Sequence, residues 1–213
     1  MMIRRTTLAA LLLLTGLARA EDKIPPGYEM QVLEPTGGKI LRPIGWFYDE
    51  GHRGQSWMWT ISKEDTHGGK GEYQTGVRIQ TFVGVLEGTG KTAEAFVRDF
   101  AARKKSTADK VHKTVGTSDQ GLFSRICLEV TEGDYHILYS LFWGNDMDVA
   151  VVSTAGAKLA DWEANRAFFD TMSSFELIDM SRFQDQKADA EKEKSAPATG
   201  DPGPQKDKAP AAE

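Results

Sequence analysis

Between Gly121 and Ala155 three apolar runs, GLFSRICLEVTEG, DYHILYSLFWGN and DMDVAVVSTA, follow one another and are broken only at EGD and GND. Glycine beside asparagine or aspartate is turn chemistry. Connections this short join antiparallel neighbours, because parallel ones need a long crossover. The first half has the same habit. GWFYDEGHRGQSWMWTISKED holds two strand-like runs around a glycine-rich turn at Gly51 to Gly54. In the second run Trp57, Trp59 and Ile61 share one face, and Met58, Thr60 and Ser62 the other. After a long loop, THGGKGEYQ, the run TGVRIQTFVGV puts Val77, Ile79, Thr81, Val83 and Val85 on a common face. These pieces predict an antiparallel meander.

Two stretches carry the other period. In KTAEAFVRDFAARKK, Ala93, Phe96, Val97 and Phe100 recur at steps of three and four, Thr92 stands where a cap belongs, and Glu94 lies in the first turn. The second helix is expected from about Lys158 to Met172, with Leu159, Trp162, Ala164, Phe168, Phe169 and Met172 on its apolar face, before a short closing run, SSFELI. Meanders with interspersed helices imply an α+β domain, an antiparallel sheet with helices laid on it.

Two motifs add a resemblance. RPIGW at Arg42 to Trp46 resembles the Pro-x-Gly-Trp entry strand of PsbP-like domains, and DWEANRAFFDTMSSFEL is similar to their closing helix, Ser-Phe pair and short strand. The order of elements between them also resembles that family and its relative, the Ran-binding Mog-type import factor. The resemblance spans Tyr28 to Ile178. It implies an α/β/α sandwich, a central antiparallel sheet between helical layers, and a family that assists assembly or binds partners. No set of catalytic residues comes with it.

The ends differ from the middle. Residues 1–20 have a basic start at Arg4 and Arg5, an apolar stretch from Leu8 to Leu17, and Ala18-Arg19-Ala20 before the expected cleavage point. They read as a signal peptide of the general secretory route. The apolar stretch is shorter than the roughly 20 residues that span a bilayer, and no later stretch reaches that length, so the mature chain is expected to have no transmembrane segment. A single α+β domain is expected over 21–180. Residues 181–213 are rich in Lys, Asp, Glu, Ala and Pro, with Phe183 as the sole aromatic. Such a composition buries too little apolar surface to offset its ordering entropy, and it reads as a solvated tail, or as an arm that orders on a partner.

Charge narrows the partners. The chain carries 26 basic and 31 acidic residues; without the three arginines of residues 1–20 the balance is 23 against 31, a net −8. That argues against nucleic acid, and the RKK at Arg103 to Lys105 suits a helix C-terminus instead. The single cysteine, Cys127, lies in a strand pattern and reads as a buried, inert thiol.

Several stretches invite a chemical reading. EGTGKT, Glu87 to Thr92, ends like a nucleotide-binding loop, but the first glycine of that loop should stand at position 85, which is Val85. It reads as a turn with a capped helix start. DEGHRG at Asp49 to Gly54 and EDTHGG at Glu64 to Gly69 each place two carboxylates before a histidine, yet about nine extended residues, roughly 30 Å, separate them. They read as solvated turns. His112 and His136 have no ligand spacing, Asp146 and Asp148 look like turn residues, and no Gly-x-Ser-x-Gly elbow is present. No catalytic, cofactor-binding or metal residue is assigned, and no cofactor is expected. The reading is an exported, non-enzymatic binding or assembly module, in a bacterial periplasm or, as the alternative, outside the cell, that holds a protein or envelope partner through the loops Gly51 to Gly54 and Thr66 to Gln74. The alternative is a hydrolase or small-ligand carrier whose site is built from distant residues.

Overall fold

The computed structural model describes residues 24–182 apart from Gln55, Lys70, Gly71 and Ser174; the expected signal peptide and all of the expected tail beyond Arg182 lie outside the described residues. Ten strands and three α-helices form this body. The strands are β1 (Tyr28–Leu33), β2 (Gly37–Pro43), β3 (Phe47–Arg53), β4 (Ser56–Ser62), β5 (Gly76–Val83), β6 (Lys110–Gln120), β7 (Phe123–Glu132), β8 (Tyr135–Gly144), β9 (Val149–Lys158) and β10 (Glu176–Ile178). The helices are α1 (Val85–Thr89), α2 (Ala93–Thr107) and α3 (Trp162–Thr171).

Seven strands make one antiparallel sheet in the order β3-β4-β5-β9-β8-β7-β6, and β1, β2 and β10 make a second, in the order β1-β2-β10. Two meanders, β3 to β5 and β6 to β9, are joined where β5 pairs with β9, from Gly76 opposite Gly156 to Val83 opposite Val149.

Each face of the large sheet has its own cover. On one face Val97 and Ala93 of α2, with Val85, pack against Ile126, Leu128, Val130, Leu141 and Trp143. On the other, Trp59, Ile61, Val77, Ile79 and Phe142 meet Leu33, Ile40 and Leu177 of the small sheet and Trp162, Phe168, Phe169 and Met172 from the α3 segment. This corrects the expected α/β/α sandwich. A single long helix covers one face, and on the other face a second antiparallel sheet shares the cover with α3, so the molecule is mostly β. The reason lies in PTGGKIL. Gly37 turns the chain at φ 69°, and a Cβ on Gly38 would stand 2.3 Å from the Leu177 carbonyl oxygen. Only a glycine there lets β10 lie alongside β2 and complete the small sheet.

The local signals worked to different degrees. Thr92 caps α2, its Oγ1 accepting from the Ala95 N–H at 3.2 Å. Lys104 and Lys105 close the helix where its carbonyls point. RPIGW spans the last two residues of β2, Arg42 and Pro43, and leads into β3 at Phe47. It makes the turn from β2 to β3, with Gly45 at φ 84° and the Arg42 guanidinium donating to the Trp46 carbonyl at 2.7 Å, so that Trp46 meets Phe168 edge-on at 5.1 Å. The closing helix starts at Trp162, because β9 continues through Lys158, and Leu159, expected on its apolar face, is half exposed. Val85 likewise leaves the strand: Gly84, at φ 70°, turns the chain into α1 and aims Val85 at the α2 side.

Candidate functional site

Two hollows on the described surface follow α2. At its N-terminal end a groove of about 640 Å³ lies between Thr92, Glu94, Ser124, Trp143, Asn145 and Asp148. Along the helix a second hollow of about 250 Å³ has Ile126 and Leu128 as floor and Ala101, Ala102, Lys105 and Gly116 as walls. Arg98 and Thr117 line both. The two adjoin at the Arg98–Thr117 hydrogen bond and together make up the α2 channel, between α2 and the β6–β7 ladder.

Its sides are fastened by the turns at that end of the sheet. The Asp148 carboxylate accepts the Leu86 N–H at 2.9 Å, and the Asp148 carbonyl accepts the Gly84 N–H at 2.9 Å. Ser124 donates to Asn145 Oδ1 at 2.7 Å, and Asn145 donates to the Gly121 carbonyl at 2.6 Å. Asp148 is thus a structural turn residue, as its sequence context indicates. Arg98 is held in the middle: Nε donates to Glu94 at 2.8 Å, Nη2 donates to Thr117 at 3.2 Å, and the guanidinium stands 5.1 Å from the Trp143 ring centre. Leu86 at 54% and Leu122 at 43% exposure leave apolar surface at the same end. The channel therefore combines an apolar floor, one held cation, Arg98, on the helix side, and apolar residues open to solvent.

EGTGKT borders this channel without curling around a phosphate. Gly90, at φ 71°, ends α1, Lys91 turns outward to Asp99 at 2.5 Å, and Thr92 is used as the α2 cap. The carboxylate and histidine loops resolve into local pairs. His52 Nε2 is 3.3 Å from Glu50, and His67 Nδ1 is 2.8 Å from Asp65. They flank β4 from opposite ends, with His52 opposite Trp57 within the β3–β4 ladder. Among the described residues no three His, Cys, Asp or Glu side chains are grouped to hold a metal ion. The Thr66 to Gln74 loop is anchored at its end: Glu64 Oε2 accepts from the Gln74 and Thr75 N–H groups at 3.1 and 3.2 Å. Tyr73 lies under the Arg78 guanidinium, and burial pushes its phenol above the ordinary tyrosine value. Cys127 is 6% exposed and its Sγ lies 3.5 Å from Ser140 Oγ inside the core.

One cluster escaped the sequence reading. His112 of β6 stacks on His136 of β8 at 4.4 Å and 13°. His136 stacks on Trp162 at 4.0 Å and 6°, and Trp162 on Phe169 at 5.0 Å. Glu129 accepts from or binds His136 Nε2 at 2.8 Å, with Arg166 at 4.0 Å beyond, and His112 Nε2 meets Thr131 Oγ1 at 2.8 Å. Desolvation against the column, then the charges of His136 and Lys110, hold the His112 imidazole below the ordinary histidine value, against the pull of Glu129. The column ties the β6 edge to α3. The parallel rings stack face to face, which orders packing and not a ligand.

No family model and no curated protein matches the chain. Among solved structures, the chain is similar to the solution structure of cyanobacterial PsbP (CyanoP) from Synechocystis sp. PCC 6803, at 13% identity and a TM-score of 0.43, over 75% of this chain and 97% of that one. This neighbour is of the PsbP kind that the sequence motifs resemble, and it lends nothing to the Mog-type half of that resemblance. At this TM-score the fold description rests on the strand registers themselves.

Proposed function

We propose that the chain is an exported, non-catalytic binding or assembly module that holds a protein or envelope partner along the α2 channel. The observation that carries this reading is the channel itself. It is open along the helix, floored by Ile126 and Leu128, and ends beside the exposed Leu86 and Leu122. A carrier or hydrolase encloses most of its ligand, whereas an open groove with an apolar floor suits a segment of another chain. Of the expected contact loop Gly51 to Gly54, all but Gly54 belongs to β3, and the Thr66 to Gln74 loop is pinned at its end by Glu64, so the contact moves from those loops to the channel. No helix among the described residues is long and apolar enough to cross a membrane.

The test is cross-linking in the native envelope followed by mass spectrometry, on the unaltered protein and on Leu86→Asp and Ala102→Glu. A specific cross-linked partner that is lost in both variants, while their circular dichroism and melting curves stay unaltered, is the expected result. A purified protein that turns over a small substrate, with no specific partner recovered, overturns the proposal. Export rests on residues 1–20 and has its own check: the native protein should begin at Glu21, and a chain that retains Met1 refutes that route.

A further inference from the structure

The face of the large sheet opposite the α2 channel holds a charge without a counter-charge among the described residues. Arg125 is half-buried, the third residue of β7. Its side chain is on the face of Phe123 and Cys127, which are 8% and 6% exposed. Across the ladders it is in register with Phe142 of β8, 5% exposed, and with Ser118 of β6. Two guanidinium nitrogens, Nε and Nη1, are shut off from solvent and have no hydrogen-bond partner among the described residues, and the Ser118 hydroxyl in register with them is in the same condition. Neither register neighbour carries an acid. The next carboxylate along this face of β7 is Glu129, four residues on, or roughly 13 Å along a strand, and it is engaged with His136 and Arg166.

Arg42 also has a buried Nε without a partner among the described residues, but its Nη1 donates to the Trp46 carbonyl and its Nη2 pairs with Glu29 at 3.0 Å; Arg98 pairs with Glu94 and Arg166 with Glu163. Burying N–H groups of a cation without acceptors is costly, and replacing such a group by an apolar one of similar size is commonly neutral or stabilising. A strand position among phenylalanines that nevertheless presents an arginine, opposite a hydroxyl that can donate a further bond, has the composition of a receptor for an oxyanion. The charge balance selects the anion. One guanidinium and one neutral hydroxyl offset one negative charge, so a carboxylate is neutralised there, while a dianionic phosphate would keep a net charge beside Phe123 and Phe142. Arginine also matches the planar two-oxygen edge of a carboxylate.

We propose that Arg125 and Ser118 form a carboxylate-binding site on the face of the sheet opposite the α2 channel. The carboxylate comes from an acidic side chain or chain end of a partner, or from a free organic acid. The site does not depend on the channel reading, since it uses none of the same residues.

The experiment uses the full chain labelled with ¹⁵N. Arginine Nε–H resonances are followed during titration with sodium acetate, with sodium chloride at equal ionic strength, and with sodium phosphate. An acetylated peptide ending in aspartate, against its C-terminal amide, separates a chain end from a side-chain donor. The expected result is a saturable shift of the Arg125 Nε–H with acetate, at lower concentration than with phosphate and without a counterpart in chloride. Ser118→Ala should weaken acetate by about three- to ten-fold, the worth of one hydrogen bond, and Arg125→Met should abolish the rise in melting temperature that acetate produces. An Arg125 resonance that moves equally in chloride and acetate overturns the proposal, since the N–H groups are then met by water. Tighter phosphate binding overturns the carboxylate assignment. Should Arg125→Met fail to fold, the titration of the unaltered protein decides alone.

Discussion

Replacing Trp59 by phenylalanine tests whether the two sheets are packed as described. Trp59 projects from β4 of the large sheet, is 1% exposed, and donates its indole Nε1–H to the Glu34 carbonyl, between β1 and β2, at 2.8 Å. It is therefore a strut from one sheet to the other. Loss of that hydrogen bond costs about 1 kcal/mol. Deleting part of a fully buried ring is milder than truncation to alanine, which takes about 3–5 kcal/mol, and should cost about 1–2 kcal/mol. The sum, about 2–3 kcal/mol, lowers the melting temperature of a domain of this size by roughly 5–10 °C. Trp57, two residues earlier on the same face, is only half-buried and has no such bond, so Trp57→Phe should lose less than half as much. Urea denaturation followed by far-UV circular dichroism measures both. Equal losses for the two variants, or a loss under about 1 kcal/mol for Trp59→Phe, would show that the small sheet does not rest on Trp59 and that the two-sheet architecture is wrong.

Two further outcomes follow from particular contacts. Because the native state holds His112 below its ordinary value, the unfolded chain takes up that proton first on acidification. Stability therefore falls as pH drops from about 7 through the unfolded value and levels off below the lowered native one. The slope is shallow, since the ring is exposed; it should be absent from His112→Gln and so appear as the pH-dependent difference between that variant and the unaltered protein in urea midpoints, and a midpoint that rises on acidification through this window because of His112 refutes the stacking account. Gly38→Ala should release β10 from β2, because the added Cβ would meet the Leu177 and Glu176 carbonyl oxygens at 2.3 and 2.5 Å, with a cost of about 1–3 kcal/mol and faster hydrogen exchange in β10. Gly116→Ala, where a Cβ meets nothing within 4 Å, should change neither, and equal behaviour of the two variants would remove the reason given for the second sheet.

Much of the large sheet was legible because its strands are buried on two faces or alternate cleanly. Trp57, Trp59 and Ile61 fall together as their spacing predicts, and β7, β8 and β9 follow the three apolar runs with their turns. β6 was not legible. As an edge strand, KVHKTVGTSDQ has one neighbour and needs few apolar residues, and its two register shifts blur the alternation further. With β6 unseen, the approach of His112 to His136 was out of reach, since it depends on two hairpin registers and on where α3 lands. The small sheet was missed for another reason: the apolar residues of β1 and β2 are few, and what brings β10 to them is the missing side chain of Gly38, a signal that marks a turn as readily as a close contact. The α2 channel was half visible. The helix and its cap were read from Thr92 onward, while the facing wall of Gly116 and Thr117 belongs to the strand that the sequence hid.

The join between β5 and β9 has a consequence for how the molecule is made. As the chain emerges from synthesis or from export, β3, β4 and β5 can pair at once, but the partner for the free side of β5 lies beyond the whole segment from Gly84 to Asp148. Until β9 arrives, the backbone groups of β5 that will face it form an open edge, and the non-local pairing that closes it is intrinsically slow. The interval before that closure is when the growing chain is most exposed to pairing with a stranger. The first meander is closed only when the last strand of the second pairs with it, so the large sheet is completed late.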